Sequence, residues 1–404
     1  MQRFISTFSL KNLSFLLLWS LLILNACNDD NNKPEPPKEE NIYLKESTSI
    51  TTLTREQVIQ KASSLGPVSG FVKNGIKVFR ITYKTKNTDG AEITASGALI
   101  LPTVPQTQPV SMISVQHGTI TDEGSAPSNF QDGSEAASFG VLFGSMGYII
   151  AYPDYIGYGA SKDLPHPYEH RASLASATLD MLRAAKEYLK GQTDIKWDEK
   201  LYTAGYSEGG YATMSLQRKI EEEASSEFNL RASSCGAGAY DKTAFMKYII
   251  NSTTSKVPSY NSLYLWVLLT YDRIYKLNKP ATYYFTDKYA QQIAAKGKDV
   301  TISESFSNIL NASFKKALND GTDKGLLDAF ADNDVYKWKP KTPTRLYHGT
   351  SDPLVLYLNS QNAYDAMQKL GATDVELFPI VDGTHSSSVV VFLLRTQQFF
   401  AETK

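Results

Sequence analysis

The sequence predicts an α/β protein in which a mostly parallel sheet is covered by helices on both faces. Three observations carry this. Apolar stretches alternate with helical ones from about residue 109 to 240, and again after 340. Stretches such as "VSMISVQ" and "YIIAYP" are apolar along their length rather than at alternate positions, as in strands buried on both faces. Between them, helical periodicity returns, which is the order of βα units and not of an all-β sandwich.

Taken in order, "TLTREQVIQKAS" opens a helix, with Thr54 and Gln57 at capping-box spacing. "KVFRITYKT" and "EITASGALILP" flank "KNTDG", an Asp-Gly turn that predicts a hairpin and hence antiparallel strands at one edge. "PVSMISVQHGT" and "MGYIIAYPDYIGYG" are the next strands. In "HRASLASATLDMLRAAKEYLKGQ", Leu174, Thr178, Met181, Leu182, Ala185 and Leu189 share one helical face, and Gly191 stops the helix. "KLYTAGYSEGG" is a strand, "YATMSLQRKIEEEAS" a helix and "FNLRASSCGAGAYD" a strand again. "TPTRLYHGTSDPLV" and "DVELFPIVDGTHSSS" end the alternation, with the helix "LNSQNAYDAMQKLG" between them. Residues 241–340 break the rhythm with helical stretches and many aromatics. They are expected to form an inserted, mainly helical cap rather than a separate small domain.

The first residues have a different character. "MQRFISTFSLKNLSFLLLWSLLILNAC" has Arg3 and Lys11 ahead of the apolar run Phe15–Leu24 and then small residues, the pattern of an export signal. The run is short for a membrane span. Leu24-Asn25-Ala26-Cys27 resembles a bacterial lipobox, which implies cleavage after residue 26 and a lipid on Cys27. Residues 27–46, polar, acidic and proline-rich, are expected to be a disordered tether, leaving 47–404 as the folded domain. The tether also resembles the acidic stretch of lipoproteins exported to the cell surface in some Gram-negative bacteria. With a lipid on Cys27, Cys235 has no partner for a disulfide, and it reads as a buried strand end. A formal charge of −1 without basic blocks gives no reason to expect nucleic acid as a partner. Membrane contact is expected only through the anchor. Nothing calls for a cofactor or a metal, and nothing sets the oligomeric state.

The chemistry centres on Gly205-Tyr206-Ser207-Glu208-Gly209-Gly210, which fits G-x-S-x-G between an apolar strand and a helix. A sharp turn there would lift the Ser207 hydroxyl out at a helix N-terminus, where N–H groups favour negative charge. A serine needs a histidine base, and that base needs a carboxylate to orient it. Five histidines are present. His117 suits an oxyanion-hole loop, His166 and His170 precede the serine, and His348 ends a strand as a packing residue. His385, after the last strand, is the candidate base. Asp352 in "HGTSDPLV" is the preferred acid over Asp382, which sits too near His385 on the same loop to face its far nitrogen. Asp154, Tyr155 and Tyr158 either line the pocket or build a buried turn.

These stretches resemble the α/β-hydrolases, where the order is serine, acid, histidine. Within them, "QHGT", "YPDYIGYGAS…HPY", "GYSEGG", "GTSDPLV" and "GTH" are similar to the secretory lipase group, which includes the lipase A-type enzymes. The resemblance covers most of residues 50–404. It implies an α/β-hydrolase fold with a cap between the nucleophile region and the acid. It also implies ester hydrolysis through an acyl-enzyme, with Ser207 as nucleophile, His385 as base and Asp352 as orienter. The oxyanion donors are expected to be the N–H of Glu208 and a group at Thr119, with Asp122 as the alternative to Thr119. A small-molecule or glycan-linked ester is the expected substrate. A serine peptidase of aminopeptidase or dipeptidyl type is the competing reading. A surface protein on a hydrolase scaffold is the third.

Overall fold

The computed structural model describes residues 41–62 and 70–403. The export signal, Cys27 and most of the expected tether lie outside the described residues. The fold starts earlier than the sequence suggested. The first strand, β1 (Leu44–Leu53), begins inside the segment expected as tether. Its start is fixed by Glu187, whose carboxylate accepts the N–H groups of Ile42, Tyr43 and Leu44 at 2.9, 3.0 and 2.7 Å.

Among the described residues, nine strands form one sheet in the order β1-β2-β3-β5-β4-β6-β7-β8-β9. The others are β2 (Ile76–Lys86), β3 (Glu92–Pro102), β4 (Val110–Gln116), β5 (Ile149–Pro153), β6 (Trp197–Tyr206), β7 (Asn229–Gly236), β8 (Thr344–Gly349) and β9 (Val375–Ile380). β1, β2 and β3 pair antiparallel, β3 pairs antiparallel with β5, and every pairing from β5 to β9 is parallel. The hairpin between β2 and β3 turns at Gly90, whose φ of 86° suits glycine. The capping box also forms: Thr54 N–H donates to Gln57 Oε1 at 2.8 Å, and Gln57 N–H to Thr54 Oγ1 at 3.3 Å.

The all-apolar strands follow from burial on both faces. Met112 and Ile113 are neighbours in β4 but belong to opposite cores, as do Ile149 and Ile150 in β5, and Leu201 and Tyr202 in β6. One face is covered by helices Arg55–Ala62, Val141–Ser145 and Val389–Glu402. Helices Arg171–Lys190, Glu208–Glu223 and Leu358–Lys369 cover the other. The sheet and its helices thus form an α/β-hydrolase fold.

Six α-helices lie between β7 and β8, from Lys242–Asn251 to Lys324–Asp332. They share a core of their own, including Phe245, Leu265, Tyr271, Phe314 and Phe330. Tyr168, Leu354 and Val355 from the loops at the sheet's edge join that core. The insertion therefore packs directly on the loops that follow β5 and β8. Among the described residues, no helix is long and apolar enough to cross a membrane.

Candidate active site

The parallel register brings the strand ends level. Gln116 pairs with Gly205, Tyr206 with Gly236, Gly236 with Tyr347, and Gly349 with Ile380. The loops that follow carry Thr119, Ser207, Asp352 and His385, so residues far apart in sequence meet at one edge.

Ser207 sits on the turn between β6 and helix Glu208–Glu223 with φ 61° and ψ −125°, a conformation that a residue with a side chain rarely adopts. The neighbourhood enforces it. Ser207 N–H donates to Gly236 O at 2.9 Å, and its carbonyl accepts Tyr211 N–H at 3.1 Å. The flanking glycines permit it, since a Cβ on Gly205 would come 2.3 Å from Gly209 O, and one on Gly209 2.1 Å from Gln116 O.

Ser207 Oγ is 2.9 Å from His385 Nε2, and His385 Nδ1 is 2.7 Å from Asp352 Oδ2. A carboxylate facing Nδ1 puts the imidazole proton there, so Nε2 accepts from the serine. The other oxygen of Asp352 accepts the N–H groups of Leu354 and Val355 at 2.9 and 3.0 Å. Burial opposes a charge on Asp352, but bonds from His348 and His385 outweigh it and hold the carboxyl at about 2. Asp382 takes no part. It is exposed, has φ 56°, and bonds Thr350 Oγ1 through its own N–H at 2.9 Å.

Of the donors expected for an oxyanion, Glu208 opens its helix, so its N–H has no acceptor within that helix. Its buried side chain turns to His166, with Oε1 2.9 Å from Nε2. His166 Nδ1 donates to Ile156 O at 2.7 Å. A Cβ built on Gly118 would lie 3.8 Å from the Ser207 Cβ, so the loop holding Thr119 runs beside the serine. Gly118 N–H is taken by Glu135 Oε1 at 3.1 Å. Thr119 Oγ1 bonds the Tyr168 hydroxyl at 3.0 Å. Asp122 instead caps its own turn, accepting from Ser125 N–H and Oγ at 3.0 and 2.7 Å.

Asp154, Tyr155 and Tyr158 build a buried turn rather than a pocket wall. Asp154 accepts from Ser96 Oγ at 2.5 Å and Ser128 N–H at 2.7 Å, and the Tyr158 hydroxyl donates to Ile120 O. His117 is buried with its ring nitrogens on the carbonyls of Gly118 and Asp154, at 2.7 and 3.1 Å. His348 packs behind the acid, with Nε2 2.7 Å from Val355 O and 3.4 Å from Asp352 Oδ2.

Sequence reasoning missed several partners. Tyr206 donates through its hydroxyl to His385 O at 2.8 Å. Glu135 bonds both Gly118 N–H and the Tyr152 hydroxyl. Glu169 is paired with Lys242, wholly buried at the start of the insertion. Only Tyr206 had a local signal, its place in the serine motif. A hollow of about 450 Å³ near β1 and β2, lined by Tyr43, Asp180, Arg183 and Lys219 among others, shares no residue with the Ser207 site.

Several solved structures share this fold. A protein from Legionella pneumophila superposes with a TM-score of 0.80 at 24% identity, over 89% of this chain and 98% of that one. The rice cell wall degrading esterase LipA from Xanthomonas oryzae gives 0.70 at 26%, over 88% and 95%. Candida antarctica lipase A in its closed state gives 0.66 at 15%, over 90% and 82%. No curated protein sequence matches the chain. The secretory lipase family matches residues 134–393, and the chain belongs to that family of ester hydrolases.

Proposed function

We propose that this protein hydrolyses carboxylic esters through an acyl-enzyme on Ser207. One observation carries the reading: the unbroken chain from Ser207 Oγ through His385 to Asp352, at 2.9 and 2.7 Å. His385 Nε2 takes the hydroxyl proton as Oγ attacks the ester carbon. Asp352 holds the imidazole in the required tautomer and offsets its charge once protonated. The oxyanion is held by Glu208 N–H and by the N–H of Thr119, the next amide after the one that Glu135 occupies. Nε2 then returns the proton to the departing alcohol. Water attacks the acyl carbon and gives its proton to Nε2, and the acid leaves as Oγ regains a proton.

Family membership favours esters over peptide bonds. The substrate is a small-molecule or glycan-linked ester, a class in keeping with the name of the Xanthomonas relative. The test is turnover of 4-nitrophenyl acetate and butyrate against aminoacyl anilides. Esters should be cleaved, a fluorophosphonate should label the protein, and Ser207→Ala should abolish both. Labelling that persists in Ser207→Ala would move the nucleophile elsewhere.

The same reading has the chain exported and held at the outer membrane by a lipid on Cys27, following the "LNAC" motif. Incorporation of a clickable palmitate in cells, lost in Cys27→Ala, tests this. Equal incorporation in both would remove the anchor.

A further inference from the structure

Beside Ser207 lies a small cavity walled by Tyr168, Phe245, Leu263, Tyr264, Leu354 and Val355, among others. Only about 20 Å³ of it admits the centre of a water-sized group, so it has room for about one such group. Its boundary includes Ser207 but not His385. That asymmetry assigns its role. Nε2 hands its proton to the departing alcohol, so the alcohol oxygen must lie beside His385. The cavity touches the serine and not the imidazole, which leaves it for the acyl chain. The alcohol side is open by comparison: Asp382, Thr384, Ser386 and Ser387 on the His385 loop are exposed, and His385 itself is partly exposed.

The walls are fastened to the catalytic groups, so widening the space disturbs them. Leu354 and Val355 donate their N–H groups to Asp352 Oδ1 at 2.9 and 3.0 Å, and the Tyr264 hydroxyl donates to Leu354 O at 2.9 Å. Tyr168 stacks on Trp266, with centroids 4.4 Å apart and 9° between the planes, and its hydroxyl bonds Thr119 Oγ1 at 3.0 Å. Phe245 meets the Tyr264 ring edge-on at 5.9 Å. A longer acyl chain would have to part helix Pro258–Ile274, which carries Leu263 and Tyr264, from the turn at Leu354 and Val355. That would break the Tyr264 bond and shift the turn that holds the Asp352 carboxylate. Extra methylenes therefore cost catalysis as well as fit.

We propose that this cavity is an acyl site matched to the methyl of an acetyl group, so that the enzyme removes acetyl groups from larger alcohols: bulk is accepted on the open alcohol side and disfavoured on the acyl side. This rests on the reading of Ser207 as the nucleophile of an ester hydrolase.

The test compares kcat/KM of the full chain on 4-nitrophenyl acetate, propionate, butyrate and hexanoate, each corrected for its own rate of alkaline hydrolysis. It also compares two isomers that carry their bulk on opposite sides, butyl acetate and ethyl butyrate, by titration of the acid released. Acetate should lead butyrate by roughly tenfold or more, with kcat falling along the series, and butyl acetate should lead ethyl butyrate by a similar factor, since a methylene that does not fit costs about that much. In Leu263→Ala, which opens one wall, the lead of acetate over butyrate should shrink severalfold. Equal rates along a Ser207-dependent series, or an optimum at butyrate or beyond, would overturn the acetyl assignment and leave the esterase reading intact. So would a lead for ethyl butyrate, or an acetate preference unchanged in a Leu263→Ala variant that is folded. Absence of Ser207-dependent turnover on every ester would instead remove the underlying reading. The series and the isomer pair decide the matter in the unaltered chain even if the variant fails to fold.

Discussion

Tyr206 holds the loop that carries His385. Its hydroxyl donates to the His385 carbonyl at 2.8 Å, and its ring lies 5.3 Å from the imidazole, tilted by 53°. The residue just before the nucleophile thus fixes the base that must meet that nucleophile. Tyr206→Phe keeps the ring and removes the bond. It should lower kcat by about fivefold, the worth of one ordinary hydrogen bond, with KM nearly unchanged. Steady-state kinetics on 4-nitrophenyl butyrate check this. A rise in KM at constant kcat would assign Tyr206 to substrate binding instead.

Asp352→Asn should reduce kcat by about four orders of magnitude, because an amide N–H facing Nδ1 favours the wrong imidazole tautomer. Asp382→Asn should change it by no more than about twofold, since Asp382 is exposed and asparagine tolerates its left-handed backbone. The paired measurement separates the two carboxylates. If the larger loss falls at 382, the acid has been misassigned.

The Asp352 carboxyl also sets a pH dependence of stability. Burial raises its pKa, but bonding to His348 and His385 lowers it further, to about 2 against an ordinary 3.8. A folded value below the unfolded one means that its stabilisation is complete above the ordinary carboxylate range. It is lost as pH falls through about 2. The gap in unfolding free energy between wild type and Asp352→Asn should therefore narrow by on the order of 2 kcal/mol between pH 5 and below pH 2. Urea titrations across that range measure it, and a constant gap would show that Asp352 gains nothing from its partners.

How much of this was legible beforehand depended on how local each signal was. The Asn-Thr-Asp-Gly turn, the capping box at Thr54 and the serine motif each lie within a few residues, and the structure has all three. β1 was not legible. "LKESTSITTL" is exposed along almost its whole length at the sheet's edge, so it lacks the apolar stripe that marks a strand. Helix Val389–Glu402 was also missed, because it opens with three valines, residues that favour strands. Glu169 and Lys242 stand 73 positions apart, and Tyr206 and His385 are 179 apart. Such pairs are created by topology, and no window of sequence contains them.

Cys235 should be inert in the native chain. It is fully buried in β7, and burial pushes its thiol up to about 12, so almost no thiolate exists at neutral pH. In a Cys27→Ser variant, a thiol-reactive disulfide reagent should find no group in the folded protein and one after unfolding in urea. Fast native labelling would mean that β7 opens to solvent far below the global unfolding transition.

Gly209→Ala sets two effects of opposite sign against each other. In an open helix the change would stabilise by up to about 1 kcal/mol, since alanine restricts the unfolded chain. Here the new Cβ would stand 2.1 Å from Gln116 O and 2.8 Å from its carbon, backbone atoms at the end of β4 that cannot swing aside. Relieving that overlap means moving the helix off the sheet, at a cost of about 1–3 kcal/mol, and shifting Ser207 with it. The steric term should win, so Gly209→Ala should melt earlier and turn over far less ester. Gly191→Ala is the control: its Cβ would meet only Tyr188 O, at an ordinary 3.6 Å. If the two variants melt alike and hydrolyse alike, the close approach of helix to β4 is not what fixes the nucleophile turn.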